Sequence, residues 1–240
     1  MEVTYENRFD IAPETKLWRY MSFAKFMSML NSQRLLYVPA FRFGDPFEGA
    51  CGIASEAEED DKLRRVSTKS NKDREYTFIN CWHENDFESE AMWKIYTQSN
   101  PEGVAIQTTY KRLKNEVERL PFIKIGRVSY VDYSKGLKVP DSLFWYKRKS
   151  FEHEKEVRVM SECPPKESIA VFESKHPGKS LTRMVHSISL ENLIENVYVS
   201  PYADNWFAEL VREELQKHHL SIEPIHSALN AKPVYEFSIE

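Results

Sequence analysis

Glycine is scarce in this chain, with seven among 240 residues. Neither G-x-G-x-x-G nor G-x-x-x-x-G-K-[ST] occurs, which excludes a dinucleotide-binding doubly wound sheet and a P-loop. Cysteine is scarcer still. Cys51, Cys81 and Cys163 are odd in number, widely spaced and without a CxxC pair, so neither a disulfide framework nor a zinc site is indicated and a reducing compartment fits best. No apolar run approaches the roughly 18 residues of a membrane helix, and the N-terminus lacks the basic, apolar and small-residue order of a signal peptide. A soluble, cytoplasmic protein is expected. A net charge of −4 does not advertise a nucleic-acid binder, although a local basic patch is compatible with it.

Aromatic residues, in contrast, are plentiful: five Trp, twelve Tyr and fourteen Phe. This favours a strand-rich fold with aromatic-lined surfaces. No internal repeat or linker stands out, so the expectation is a loose polar arm over residues 1–16 and one α+β domain over 17–240. Residues 17–21 read as a strand, with Ser22 placed to cap a helix whose Phe23, Phe26, Met27 and Leu30 face the core. Further strands are expected at 35–39, 75–83, 103–109, 185–190, 197–201 and 222–227, and a strand or hairpin arm at 123–133. Helices are expected at 88–96, at 110–120 with Leu113, Val117 and Leu120 inward, and at 206–218. Residues 55–75 read as a solvated charged helix with a mobile loop, and 161–180 as an exposed excursion.

Several residues invite a chemical reading. Residues 151–160 look like a strand carrying charge where Val or Ile would normally stand, and alternation puts Glu152, Glu154, Glu156 and Arg158 on one face. Three carboxylates on one edge repel, so they form either an exposed ladder of ion pairs or the wall of a cleft. Arg19 interrupts an apolar strand, and a buried guanidinium needs a carboxylate or a phosphate. Asp45 and Glu48 lie in a Gly- and Pro-punctuated loop, which is either a self-capped turn or a functional loop. Trp93 and Tyr96 share a helix face with Ser89, as core or as a ligand platform, with Ser89 as the default cap. Residues 144–149, including Lys147 and Arg148, form an aromatic and basic approach to the carboxylates. His83 has no second His or Cys at ligand spacing, so no metal site is expected.

These landmarks carry a resemblance. Leu-Trp-Arg-Tyr at 17–20, Asp-Pro-Phe-Glu-Gly at 45–49, Cys-Trp-His-Glu at 81–84, Glu-Ser-x-Ala-Met-Trp at 88–93, Gly-Val-Ala-Ile at 103–106 and Lys-Arg-x-x-Phe-x-x-Glu-x-Glu-Val-Arg at 147–158 resemble, in that order, a bacterial domain family. Its layout looks like the ADP-ribosyltransferase fold, in which a split, bent sheet with flanking helices clamps NAD. The resemblance implies that Arg19 takes the early-strand role that holds the cofactor, that Tyr20, Tyr37, Trp93 and Tyr96 are candidates for aromatic contacts with Ser89 beside them, and that Glu156 takes the catalytic late-strand role with Glu154 next to it. Asp45, Glu48, Lys147 and Arg148 would form the substrate loop. The chain departs from better-known subgroups in lacking a clear Ser-Thr-Ser element.

The expected function is therefore NAD-dependent ADP-ribosyl transfer to RNA, DNA or protein, in a toxin or phage-defence setting with an antitoxin as a further partner. A non-enzymatic binding module on the same fold, and a carboxylate-dependent hydrolase of NAD or a glycoside, are the alternatives.

Overall fold

The computed structural model describes residues 7–51, 73–97, 100–119, 122–135, 142–162, 182–231 and 233. The expectations for Leu120, for residues 163–180 and for nearly all of 55–75 lie outside them. The fold is α+β, one large bent sheet with flanking helices. In chain order the described elements are β1 (Lys16–Ser22), α1 (Phe23–Ser32), β2 (Arg34–Pro39), β3 (Thr77–Glu84), α2 (Glu90–Thr97), β4 (Gly103–Thr109), α3 (Tyr110–Val117), β5 (Ile123–Arg127), β6 (Ser129–Val131), β7 (Tyr146–Arg148), β8 (Glu156–Glu162), β9 (Met184–Ser187), α4 (Leu190–Leu193), β10 (Asn196–Val199), α5 (Asn205–Lys217) and β11 (Ile225–His226).

The nine-stranded sheet runs β11-β10-β4-β1-β3-β2-β9, with β8 on the other side of β3 and β5 beyond it. β3 is the hinge of this arrangement. Its C-terminal end pairs with the start of β1 through Leu17↔Glu84 and Trp18↔His83, and its N-terminal end pairs with β2 through Val38↔Ile79 and Pro39↔Phe78. Between those contacts β1 turns away to pair along its whole length with β4. Asn80, Cys81 and Trp82 are thus left at the mouth of a split, while their other edge stays paired with β8. Asn80 tethers the split, donating from Nδ2 to the Leu36 carbonyl at 2.8 Å and accepting from Trp82 Nε1 at 2.6 Å.

Burial explains which sequence patterns became elements. β4 is buried at every position, and Val104 and Ile106 face the main core. That core also takes Phe26 and Leu30 of α1, Leu113 and Val117 of α3, Leu193 of α4, and Phe207, Val211 and Leu215 of α5. The i, i+4, i+8 spacing in α5 places three apolar side chains on one stripe, each contributing about 1.5–3 kcal/mol. The opposite face holds two smaller clusters. One gathers Ile79, Met160, Phe144, Trp145 and Tyr146, and the other gathers Trp18 and Tyr20 with Met92 and Trp93 of α2.

Two expectations are corrected. Residues 151–154 are not strand: Lys149–Glu154 is a 3-10 turn, ended by Lys155 at φ +39°, and β8 begins only at Glu156. The turn separates the three carboxylates that a continuous strand would have crowded, leaving Glu152 exposed, Glu154 half-buried and Glu156 buried. The arm is not loose from residue 7 onward. Arg8 is buried and donates to the carbonyls of Arg127 at 3.0 Å and Trp145 at 2.8 Å and to Ser129 Oγ at 3.1 Å. Of the strand or hairpin arm expected at 123–133, strands form: β5 pairs with β8, and β6 pairs in parallel with β7 rather than with β5 as a hairpin.

Candidate active site

The split opens into a cavity of about 610 Å³. From β1 it is lined by Arg19 and Tyr20, from β3 by Asn80, Cys81, Trp82 and His83, from α2 by Tyr96, and from the segment before and into β8 by Lys147, Glu154 and Glu156. Among the described residues no helix is long and apolar enough to cross a membrane, and no group of three or more His, Cys, Asp or Glu is placed to hold a metal.

The cavity is bounded on one side by a buried ion cluster. Arg158 is fully buried and bidentate to Glu48, at 2.5 and 2.9 Å, and to Glu156, at 2.9 and 3.1 Å; it also donates to the Phe144 carbonyl. Lys147 donates to Glu154 and, at 3.4 Å, to Glu156. Burial opposes the charge on Glu156, but Arg158 and Lys147, with hydrogen bonds from Arg158 and Cys81, outweigh it and pull the carboxyl down to about 2. Glu156 is therefore a fixed anion at neutral pH, held by donors from Arg158, Lys147 and Cys81.

The same cavity is lined by a cation that has no counter-charge among the described residues. Arg19 is half-buried, its guanidinium lies 5.8 Å from the Trp82 ring centroid, and among the described residues it makes no ion pair or hydrogen bond. Burial pushes its pKa down, with Cys81, Tyr96 and Tyr37 acting the other way. A guanidinium held in this state is set to receive an anion. Tyr20 and Tyr96 also line the cavity, with near-parallel rings, 6.4 Å between centroids and 22° between planes, and Tyr96 lies within electrostatic reach of both Arg19 and Glu156. Burial raises both phenols, Tyr96 to about 12, so both are neutral donors at neutral pH.

The sequence raises His83 only as a metal ligand and gives it no role in the site. It lies directly opposite Glu156 in the β3–β8 register, is buried, and sits edge-on to Tyr20 at 6.1 Å. Its Nδ1 is 2.6 Å from the Glu154 carbonyl, which can only accept, so Nδ1 carries the proton and Nε2 is a bare acceptor with no partner. Burial lowers its pKa and keeps the ring neutral. The signal that would have found it is register: without the pairing to β8, a lone His in Cys-Trp-His-Glu reads as core.

The remaining expected site residues fall elsewhere. Trp93 stands behind Tyr20 at 4.9 Å, edge to face, and donates to Glu88. Ser89 donates its amide to the Tyr20 hydroxyl at 2.8 Å and receives the Met92 amide, so it positions Tyr20 and starts the helix. Tyr37 points to the main core, because alternation in β2 sends Leu36 and Val38 to the cavity and Leu35 and Tyr37 away. Glu48 is spent on Arg158. Asp45 accepts from the Phe47 amide and pairs with Arg148 at 2.8 Å. None of Asp45, Glu48 and Arg148 lines the cavity; of the loop that follows β2, Arg42 and Phe43 do. A second cavity of about 490 Å³ is also lined by Glu156; among its other ionic side chains Glu84 and Arg127 are paired with each other and Lys155 is bonded to Asn85.

No family model and no curated protein matches the chain. Among solved structures, that of Thermus sp. 2.9 DarT in complex with NAD+ aligns over 90% of this chain and 96% of that one, with 10% sequence identity and a TM-score of 0.39. That likeness is too distant to assign a family or an activity.

Proposed function

We propose that this chain is a NAD-dependent ADP-ribosyltransferase acting on a macromolecular acceptor. The observation that carries the reading is that one cavity in a split sheet is lined both by Arg19, which has no ion pair among the described residues, and by the ionised Glu156. The other residues fit the same substrate. A cavity of about 610 Å³ lies within the size range of ligand sites, and its lining offers partners for several parts of NAD. Arg19 would hold the pyrophosphate, Tyr20 and Tyr96 the flat nicotinamide, and the bare Nε2 of His83 would accept from an amide or hydroxyl donor. NAD supplies a ribose carbon on which positive charge develops as the nicotinamide bond breaks. Glu156 places a preorganised negative charge for that carbon, and Lys147 and Arg158 keep it ionised and fixed. Glu154 orients His83 through its carbonyl and takes the catalytic position only if Glu156 does not. A toxin or defence role, with an antitoxin partner, rests on the family resemblance alone.

The test is incubation with labelled NAD and separate pools of RNA, DNA and protein. Label is expected in one pool, and release of nicotinamide with no labelled acceptor would instead favour the hydrolase. Arg19→Ala should weaken NAD binding about 10- to 100-fold, the worth of a charge-assisted contact, and Arg19→Lys should recover only part of it. Unchanged NAD affinity in the Ala variant removes Arg19 from the site.

A further inference from the structure

The rim of the same cavity carries more positive charge than a single NAD requires. Lys25 of α1, Arg34 of β2, Arg42 after β2 and Arg183 before β9 all line it and are all exposed, and none has a carboxylate partner among the described residues. The carboxylates that line the cavity, Glu154 and Glu156, lie inside and are held by Lys147 and Arg158. The chain as a whole is acidic, at −4, so the cluster is not a by-product of basic composition.

Apolar side chains are exposed among these cations. Leu36 and Val185 are partners across the β2–β9 register and are 41% and 45% exposed, and Phe41 is 37% exposed with the Arg42 guanidinium 5.9 Å from its ring. Cations that meet phosphates, next to apolar and aromatic surface that meets base faces, are what a single strand of nucleic acid needs. A duplex keeps those faces stacked inside. An acidic protein segment would satisfy the cations too, but the Phe41–Arg42 pair, an aromatic face beside a guanidinium, is the kind of surface on which bases stack.

We propose that this rim binds single-stranded nucleic acid and that the bound strand is the acceptor of the reaction proposed above, on which this inference rests. In that reaction the ribose–nicotinamide bond breaks and nicotinamide leaves neutral with the bonding pair. A nucleophilic oxygen or nitrogen of the strand forms the new bond to the ribose carbon, and its proton passes to solvent.

The test is fluorescence anisotropy with labelled oligothymidylate and oligouridylate of about 20 nucleotides, at about 50 and 200 mM salt, alongside an NAD titration of the same preparation. Both strands should bind more tightly than a duplex of equal length, with a log–log salt slope of about −3 for four phosphate contacts. The Lys25→Ala/Arg34→Ala double variant should bind about tenfold more weakly with roughly half that slope, while its NAD affinity stays within about threefold. The proposal is overturned if neither oligonucleotide binds at the lower salt, if poly-glutamate displaces the strand at equal charge concentration, or if the double variant loses NAD and oligonucleotide together. Oligonucleotide binding without NAD binding would sink the transferase reading and leave the rim standing; NAD binding without oligonucleotide binding would do the reverse.

Discussion

Glu156 connects the buried ion cluster to the cavity, so its replacement has two separable effects. Gln keeps the size and an acceptor for Arg158 but removes the charge. Transfer should fall by three to five orders of magnitude, about 4–7 kcal/mol in barrier, while NAD binding is nearly preserved because Arg19 and the tyrosine pair are untouched. A Glu156→Gln enzyme that transfers at the wild-type rate would end the assignment, and an equal loss in Glu154→Gln with activity retained at 156 would move it to Glu154. Arg158 has the opposite profile. It does not line the cavity, and its loss leaves Glu48 and Glu156 buried without their main counter-charge. Arg158→Met should therefore cost about 3–5 kcal/mol in urea unfolding before any kinetic effect is read.

The loop joining β2 to the ion cluster shows what sequence reasoning reaches and where it stops. Glu48 meets Arg158 because the backbone turns at Gly49, φ +75°, where a Cβ would stand 2.5 Å from Phe144 Cε1. Gly49→Ala combines a left-handed backbone with overpacking and should lower stability by about 1–3 kcal/mol, seen as a fall in Tm; an unchanged Tm would show that Phe144 yields freely. The loop's glycine and proline marked it as shaped, but its purpose was hidden, since Glu48 and Arg158 lie 110 positions apart and only the folded sheet brings them together. Elements whose residue pattern is itself a record of burial, such as β1, β4, β10 and α5, were legible within a residue or two. The carboxylate run was not, because alternation assumes a strand, and charge repulsion was relieved by a turn. Site residues divide in the same way. Arg19, Tyr20 and Tyr96 line the cavity from elements whose faces could be counted, whereas Tyr37 lies on the core side of β2 within electrostatic reach of Arg19, and His83 emerges only from register.

At the scale of the whole molecule, the acid limit of stability should follow two depressed pKa values. Burial lowers His83 below its ordinary 6.5, so the unfolded chain takes up a proton there before the folded one does, and stability starts to fall as pH drops below that value. Glu156 acts lower down: its contribution is fully present above 4.5 and is lost as pH falls from there towards about 2, an amount on the order of 3 kcal/mol. Urea unfolding at stepped pH should show the wild type losing stability steeply below 4.5 and Glu156→Gln losing less over the same range; parallel profiles would mean that the cluster is not the acid-sensitive part. The split sheet also constrains how the chain can fold. β3 waits for a partner at residues 156–162 on one edge, and β4 waits for one at 196–199, so the pairings that define the cavity close long loops. Such non-local pairings slow the search for the native state. A nascent chain that has emerged only as far as α3 has no Glu156 to offer, and the cavity lining is assembled only when most of the polypeptide has left the ribosome.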